Sequence, residues 1–253
     1  MAELYDHPEI YDERWSERSA EAYRRHYRAA LEGARMQSIL DCSIGTGNPT
    51  YCLADLGYDI CGSDLSETML RQAEANARAR NVRCHLTKCD FRRLTEHFDG
   101  RFDCVMSTGN ALAHVDNADV RRTLCQMDAL VRPGGYIYLD SRNWDLELKR
   151  RQRFHNFQLP YAKPDGEKVY YVQVWDFHAD GTVTINILNA YEREGRIVHQ
   201  DVWEEHLHPF PLALVQEQLT ALGYRDIRVM NMPAFIERPL EETDWYCLLA
   251  HKA

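Results

Sequence analysis

Apolar, partly β-branched runs at 38–42, 59–63, 82–87, 103–107 and 135–140 alternate with segments that are helical in pattern or long enough to cross over. That alternation predicts a parallel sheet with helices on both faces. In "LSETMLRQAEANARAR" (65–80), Ser66 suits an N-cap and Glu67 the positive end of a helix, while Met69, Leu70, Ala73 and Ala77 recur on one face. In "NADVRRTLCQMDALVRPGG" (117–135), Val120, Leu124, Met127 and Val131 form a second stripe. Pro133-Gly134-Gly135 is expected to stop that helix before the next strand.

Beyond 140 the period shortens. "VYYVQVWDF", "TVTINILNAY" and "RIVHQDVWEEHL" are aromatic and β-branched, with turns at Asp180-Gly181 and Glu194-Gly195, and predict an antiparallel meander beside the main sheet. In its first strand Tyr170 and Tyr171 must face opposite sides. Trp175 and Trp203 are expected in core or lid packing. A helix from Pro211 to Gly223 and two closing strands, about 225–231 and 245–251, complete the pattern.

The formal net charge of −9 repels polyanions, so nucleic acid is not the expected partner; Lys149, Arg150, Arg151 and Arg153 are read as a solvated face. The opening "MAELYDHPEIYDERW" carries no secretory pattern and no window is apolar enough to span a membrane, so a cytoplasmic protein is expected. The eight scattered cysteines, without a C-x-x-C, read as reduced core residues, and no metal site is expected.

The first predicted strand runs into Gly45-Thr46-Gly47-Asn48-Pro49-Thr50. A dinucleotide fingerprint wants a third small residue where Thr50 stands, and Pro49 suits a first helical turn, so a ligand without a diphosphate fits better. Asp64, closing the second strand, is placed to accept both hydroxyls of a ribose. Asp90 is placed for an adenine amino group with Phe91 along the ring, and Asp41 for a positive ligand head through a backbone or water contact. A nucleoside with a cationic tail describes S-adenosylmethionine better than a nicotinamide dinucleotide.

"LDCSIGTGN", "GSDLSETML", "KCDF" and "ALVRPGGYIYLDSRN" resemble, in order, the motifs of class I S-adenosylmethionine-dependent methyltransferases. The resemblance implies an α/β, Rossmann-like sheet, mostly parallel, whose one antiparallel strand lies inside the sheet near 245–251. It implies a cofactor crevice of Ser43, Gly45, Gly47, Asp64, Leu65, Met69, Asp90, Phe91 and Thr108, with Asp41. Further, "STGNALAHV", "LDSRNWD", "VYYVQ" and "EEHLHPFPLALVQEQLTALGY" are similar to segments of glycine N-methyltransferases, the first two matching G-N-S-F-A-H-L and H-R-N-Y-D. In that family the arginine clamps the substrate carboxylate and the asparagine orients the amine end; carried over, these are Arg142 and Asn110.

The same resemblance favours Tyr171 as a pocket residue and makes Tyr11 and Trp15 a cover, with Arg18 of "RSAEAY" on the methionine carboxylate of the cofactor. His114 is a candidate base or a polar pocket lining. Two departures stand out: Ser141 replaces the family's histidine and Trp144 its tyrosine, leaving the acceptor and the oligomeric state, monomer or homo-oligomer, open. The expected division is 1–35 as a helical lid, 36–142 with 205–253 as the cofactor-binding domain, and 143–204 as a β insertion forming part of the substrate pocket. The expected reaction is methylation of the amine of a small amino acid. The alternatives are O-methylation of a small carboxylate or hydroxyl metabolite with His114, His206 or His208 as base, a nicotinamide-dependent oxidoreductase, and a non-catalytic binder of the methyl donor.

Overall fold

The computed structural model describes residues 4–156, 160–163 and 165–252. Residues 1–3 of the expected lid, 157–159 and 164 of the expected insertion, and 253 lie outside the described residues. A short 3-10 turn (Leu4–Asp6), α1 (Glu9–Asp12) and α2 (Glu17–Ala30) precede β1 (Ser38–Asp41). Then come α3 (Asn48–Ala54), β2 (Asp59–Asp64), α4 (Glu67–Ala79), β3 (Cys84–Lys88), β4 (Phe102–Ser107), α5 (Asn117–Leu130) and β5 (Val131–Arg142). The Ser66 cap expected from sequence forms, its hydroxyl accepting from Met69 N–H, and Asp116 caps α5 by accepting from Asp119 N–H.

The main sheet has the order β11-β12-β5-β4-β1-β2-β3, where β11 (Tyr224–Asn231) and β12 (Trp245–Lys252) follow α7 (Leu212–Ala221). β12 runs antiparallel to both neighbours and every other pairing in this sheet is parallel. Alternate strand residues feed two cores: Ile39, Cys104, Met106, Tyr138 and Leu249 pack with α2 and α3, and Leu40, Val105, Ile137, Leu139 and Leu248 with α5 and α7. β5 starts earlier than the expected 135, because Val131 already pairs with Phe102 before the register shifts and Cys104 pairs with Tyr136. Pro133-Gly134-Gly135 therefore makes a bulge inside the strand; a Cβ on Gly135 would lie 2.7 Å from the Asp103 carbonyl oxygen, so only glycine fits.

α6 (Trp144–Arg150) leads into the second sheet, which adds the short β6 (Phe154–Asn156) and β7 (Tyr161–Ala162) to the meander of β8 (Lys168–Phe177), β9 (Val183–Arg193) and β10 (Arg196–Leu207). Its order is β10-β9-β8-β6, with β7 also on β8. Glu194 and Gly195 both take positive φ at the β9–β10 turn, as a two-residue hairpin needs. β9 alternates buried and half-buried side chains over most of its length, one face packing into the core and the other turned outward. Among the described residues, no helix is long and apolar enough to cross a membrane.

Candidate functional site

A cavity of about 970 Å³ opens at the carboxyl ends of β1, β2, β4 and β5, between the main sheet, the N-terminal segment and the meander. Ligands of open α/β sheets bind in this position. Gly45 and Gly47 bend the chain after β1 with φ of +55° and +80°. A Cβ on Gly47 would sit 2.3 Å from the Tyr51 ring, and Gly47 lies behind the wall formed by Gly45, Thr46, Asn48 and Pro49.

Asp64 reaches the cavity with each carboxylate oxygen accepting one backbone N–H, from Gly45 at 2.9 Å and from Ser66 at 2.9 Å. Its other lone pairs face the cavity, and burial holds its pKa above the usual carboxylate value. Asp41 is wholly buried and does not line the cavity. It accepts from Ser43 N–H (3.0 Å), Thr50 Oγ1 (2.6 Å) and Thr108 Oγ1 (2.9 Å), tying the β1 loop to α3 and to the chain after β4. The hydroxyl of Thr50, where a dinucleotide fold keeps a small residue, is thus spent on the floor of the site. Ser43, Leu65, Met69, Phe91 and Thr108 are on the wall. So is Asp90, gripped by Arg92, which also binds Asp119; that guanidinium holds the Asp90 carboxyl below its usual pKa.

Arg142 ends β5 with its guanidinium carbon 4.9 Å from the Trp175 ring centre and 5.0 Å from that of Trp245. It lines the cavity, and among the described residues no carboxylate pairs with it. Desolvation lowers its pKa, the signature of a cation short of a partner. Beside it, Asn110 adopts a left-handed φ of +64°. Its Oδ1 accepts from Ser141 Oγ (2.9 Å), Arg142 N–H (3.2 Å) and Trp144 Nε1–H (3.0 Å). Two of those donors cannot act as acceptors, so the amide orientation is fixed and Nδ2 is the end left for the cavity. Both departures from the family motif, Ser141 and Trp144, converge on this one oxygen, and Trp144 itself stays off the cavity wall.

The N-terminal segment covers the opposite side. Tyr11 and Trp15 line the cavity, whereas Arg18 is exposed and outside its lining; the guanidinium this segment brings to the wall is that of Arg14. Arg14 stacks 3.6 Å from the ring centre of Tyr171, another wall residue, and donates to Asn189 Oδ1 at 3.1 Å. Asp12 bolts the segment down by accepting from Asn48 on α3 (2.8 Å) and from Gln72 and Asn76 on α4 (2.7 Å each). Tyr5 links His114 to the meander, with its hydroxyl 2.6 Å from Nε2 of His114 and donating to Glu205 Oε1 at 3.2 Å. Burial lowers the His114 pKa, favouring the neutral ring. Asp12, Arg14, Tyr5 and Trp245 were not found by the motifs, because each reaches the site from a stretch with no motif of its own; Glu205 lies in the "EEHLHPF" segment, but the resemblance assigned it no role.

The comparisons agree with this geometry. Residues 39–135 match the family described as "Methyltransferase domain". The chain is 29% identical over 245 residues to a glycine/sarcosine N-methyltransferase of Parasynechococcus marenigrum, covering 94% of this chain and 79% of the relative. It is 32% identical over 228 residues to a putative methyltransferase of Bacillus subtilis, covering 87% and 85%. The crystal structure of an S-adenosylmethionine-dependent methyltransferase from Clostridium acetobutylicum superposes with a TM-score of 0.75 at 18% identity, covering 97% of each chain. Taken with the crevice, the Asp64 carboxylate and the glycine turn after β1, these relationships establish that the chain belongs to the class I S-adenosylmethionine-dependent methyltransferases.

Proposed function

We propose that the protein methylates the amine of a small amino acid such as glycine or sarcosine, with the acceptor's carboxylate held by Arg142. The observation that carries this reading is the Arg142 guanidinium on the cavity wall, flanked by two indole rings and without a carboxylate partner among the described residues. A guanidinium meets a carboxylate with two parallel hydrogen bonds, fixing orientation as well as adding affinity. Asn110 Nδ2, held by the three donors to its oxygen, adds a second donor on the same side.

The cavity's residues fit the cofactor by their chemistry. Asp64 accepts the ribose hydroxyls, Asp90 the adenine amino group beside Phe91, and Leu65 and Met69 add apolar wall. Gly45 lets the backbone come close, Gly47 behind it leaves room for the Tyr51 ring, and Ser43 and Thr108 border the tail. Tyr11 and Trp15 exclude water, and Arg14 takes the tail carboxylate in place of Arg18. Two guanidiniums that have no carboxylate partner among the described residues thus answer two carboxylates, one from the cofactor and one from the acceptor. When bound, the cofactor supplies a methyl group on a positively charged sulfur. The chain's own part is positioning: once the acceptor is anchored at Arg142 and its ammonium has lost a proton to water or a nearby group, the amine lone pair has one direction of approach, which is most of what such a displacement requires.

Incubating the protein with S-adenosylmethionine and a panel of glycine, sarcosine, dimethylglycine, acetate and small hydroxy acids, while following S-adenosylhomocysteine release, tests the reading. Turnover with an amino acid supports it. Turnover confined to the hydroxy acids or acetate would favour O-methylation, for which the buried, neutral His114 is the base at hand. No turnover with any of them would contradict both.

A further inference from the structure

An amino acid entering at neutral pH brings an ammonium as well as a carboxylate, and the ammonium needs an acceptor. Asn110 cannot serve, because its oxygen already receives three donors and its exposed end donates. Of the carboxylates on the cavity wall, Asp6 is exposed to solvent, Asp64 accepts two backbone N–H groups beside the glycine turn and Asp90 is clamped by Arg92. Glu67 pairs with Lys88, and Asp140 accepts the Gly109 N–H at 2.7 Å. Glu205, reaching in from β10, differs from these: its one hydrogen bond among the described residues is the long one from Tyr5 to Oε1, and it has no ion pair there.

We propose that Glu205 is the specificity-determining counter-charge for the acceptor's ammonium, so that Arg142 and Glu205 together select a free zwitterion. This rests on the reading that Arg142 holds the carboxylate. Tyr5 supports the assignment. Its hydroxyl has one proton, which it gives to Glu205, so the 2.6 Å contact with His114 requires Nε2 of that ring to carry a hydrogen and donate to the phenol oxygen. The chain His114 to Tyr5 to Glu205 thereby aims donors at one carboxylate oxygen and leaves Oε2 for a ligand. The charge of Glu205 also acts on Arg142, Tyr5, Tyr11 and His114, which line the same cavity. Arg142 and Glu205 share the cavity wall, and among the described residues they form no ion pair with each other, so both charges are left for a zwitterion.

Calorimetric titration of the full chain loaded with S-adenosylhomocysteine tests this, with glycine, sarcosine and acetate as probes. The wild type is expected to bind glycine or sarcosine at least about tenfold more tightly than acetate. Glu205→Gln, which keeps the shape and the acceptor for Tyr5, is expected to bring the amino acids within about threefold of acetate, leaving acetate and S-adenosylhomocysteine affinities unchanged. Retention of the preference in Glu205→Gln overturns the proposal, as does its loss in Asp140→Asn instead. Equal wild-type binding of acetate and amino acids overturns it while sparing the carboxylate site. If neither class binds, or Arg142→Ala leaves acetate binding intact, the reading of Arg142 fails and the Glu205 assignment falls with it.

Discussion

The site is governed by which polar groups are already satisfied and which are not. The oxygens of Asp41 and Asn110 are filled by protein donors and hold the site together; Arg142, Glu205 and the Nδ2 of Asn110 have unfilled capacity and face the ligand space. This distinction was not legible in the sequence, where Asp41 and Asp64 are both acids at strand ends. It depends on Thr50 and Thr108 reaching Asp41 from different elements. If Asp64 accepts the ribose hydroxyls as proposed, Asp64→Ala should raise the S-adenosylmethionine dissociation constant by about thirtyfold or more by calorimetry. Thr50→Val strips a donor from a fully buried carboxylate at a cost of about 2 kcal/mol, and should lower the melting temperature by about 5 °C. An unchanged melting temperature would show that another donor replaces Thr50.

At the scale of elements, the strands and helices of the sheet were readable because each repeats one period over its whole length. Hence α4, α5 and the strands β1 to β4 lie where the pattern put them, to within a few residues. The bulge that starts β5 early was hidden, since Pro133-Gly134-Gly135 reads equally as a stop or as a kink and the close Asp103 carbonyl decides. The N-terminal cover was only partly readable. Its aromatic residues signalled a role, but the register that turns Arg14 inward and Arg18 outward is set by Asp12, whose carboxylate gathers three amides from α3 and α4. Asp12→Ala should therefore loosen the cover and weaken S-adenosylmethionine binding about tenfold while the fold keeps its circular dichroism spectrum. Arg18→Ala should bind the cofactor as the wild type does, and Arg14→Ala should not.

Across the whole molecule, two buried groups bound the pH range in which the ligand-free protein is most stable. Burial, reinforced by the charge of Asp41, pushes Asp140 up to about 7. Because this is above its unfolded value, the stability it contributes is complete at pH below about 4 and is lost as pH rises through about 7. His26 joins α2 to the sheet: its Nδ1 accepts from Ala234 N–H at 2.9 Å, so Nε2 bears the hydrogen donated to Tyr138. Burial pushes His26 down to about 4, and its contribution, present above about 6.5, is lost as pH falls through about 4. Between pH 6 and 8 the Asp140 limb dominates. Asp140→Asn, whose amide oxygen can still accept from Gly109, should raise the melting temperature at pH 8 by roughly 3 kcal/mol of stability, about 8 °C, and by much less at pH 5.

The central claim is that Arg142 holds the acceptor and not the fold or the cofactor. It is tested most directly by measuring, for wild type and Arg142→Ala, both kcat/KM for the best amino acid acceptor and the dissociation constant of S-adenosylmethionine. The account predicts a fall in kcat/KM of about a hundredfold or more with cofactor affinity unchanged within about threefold. Parallel loss of both, or turnover that survives the substitution, would contradict it.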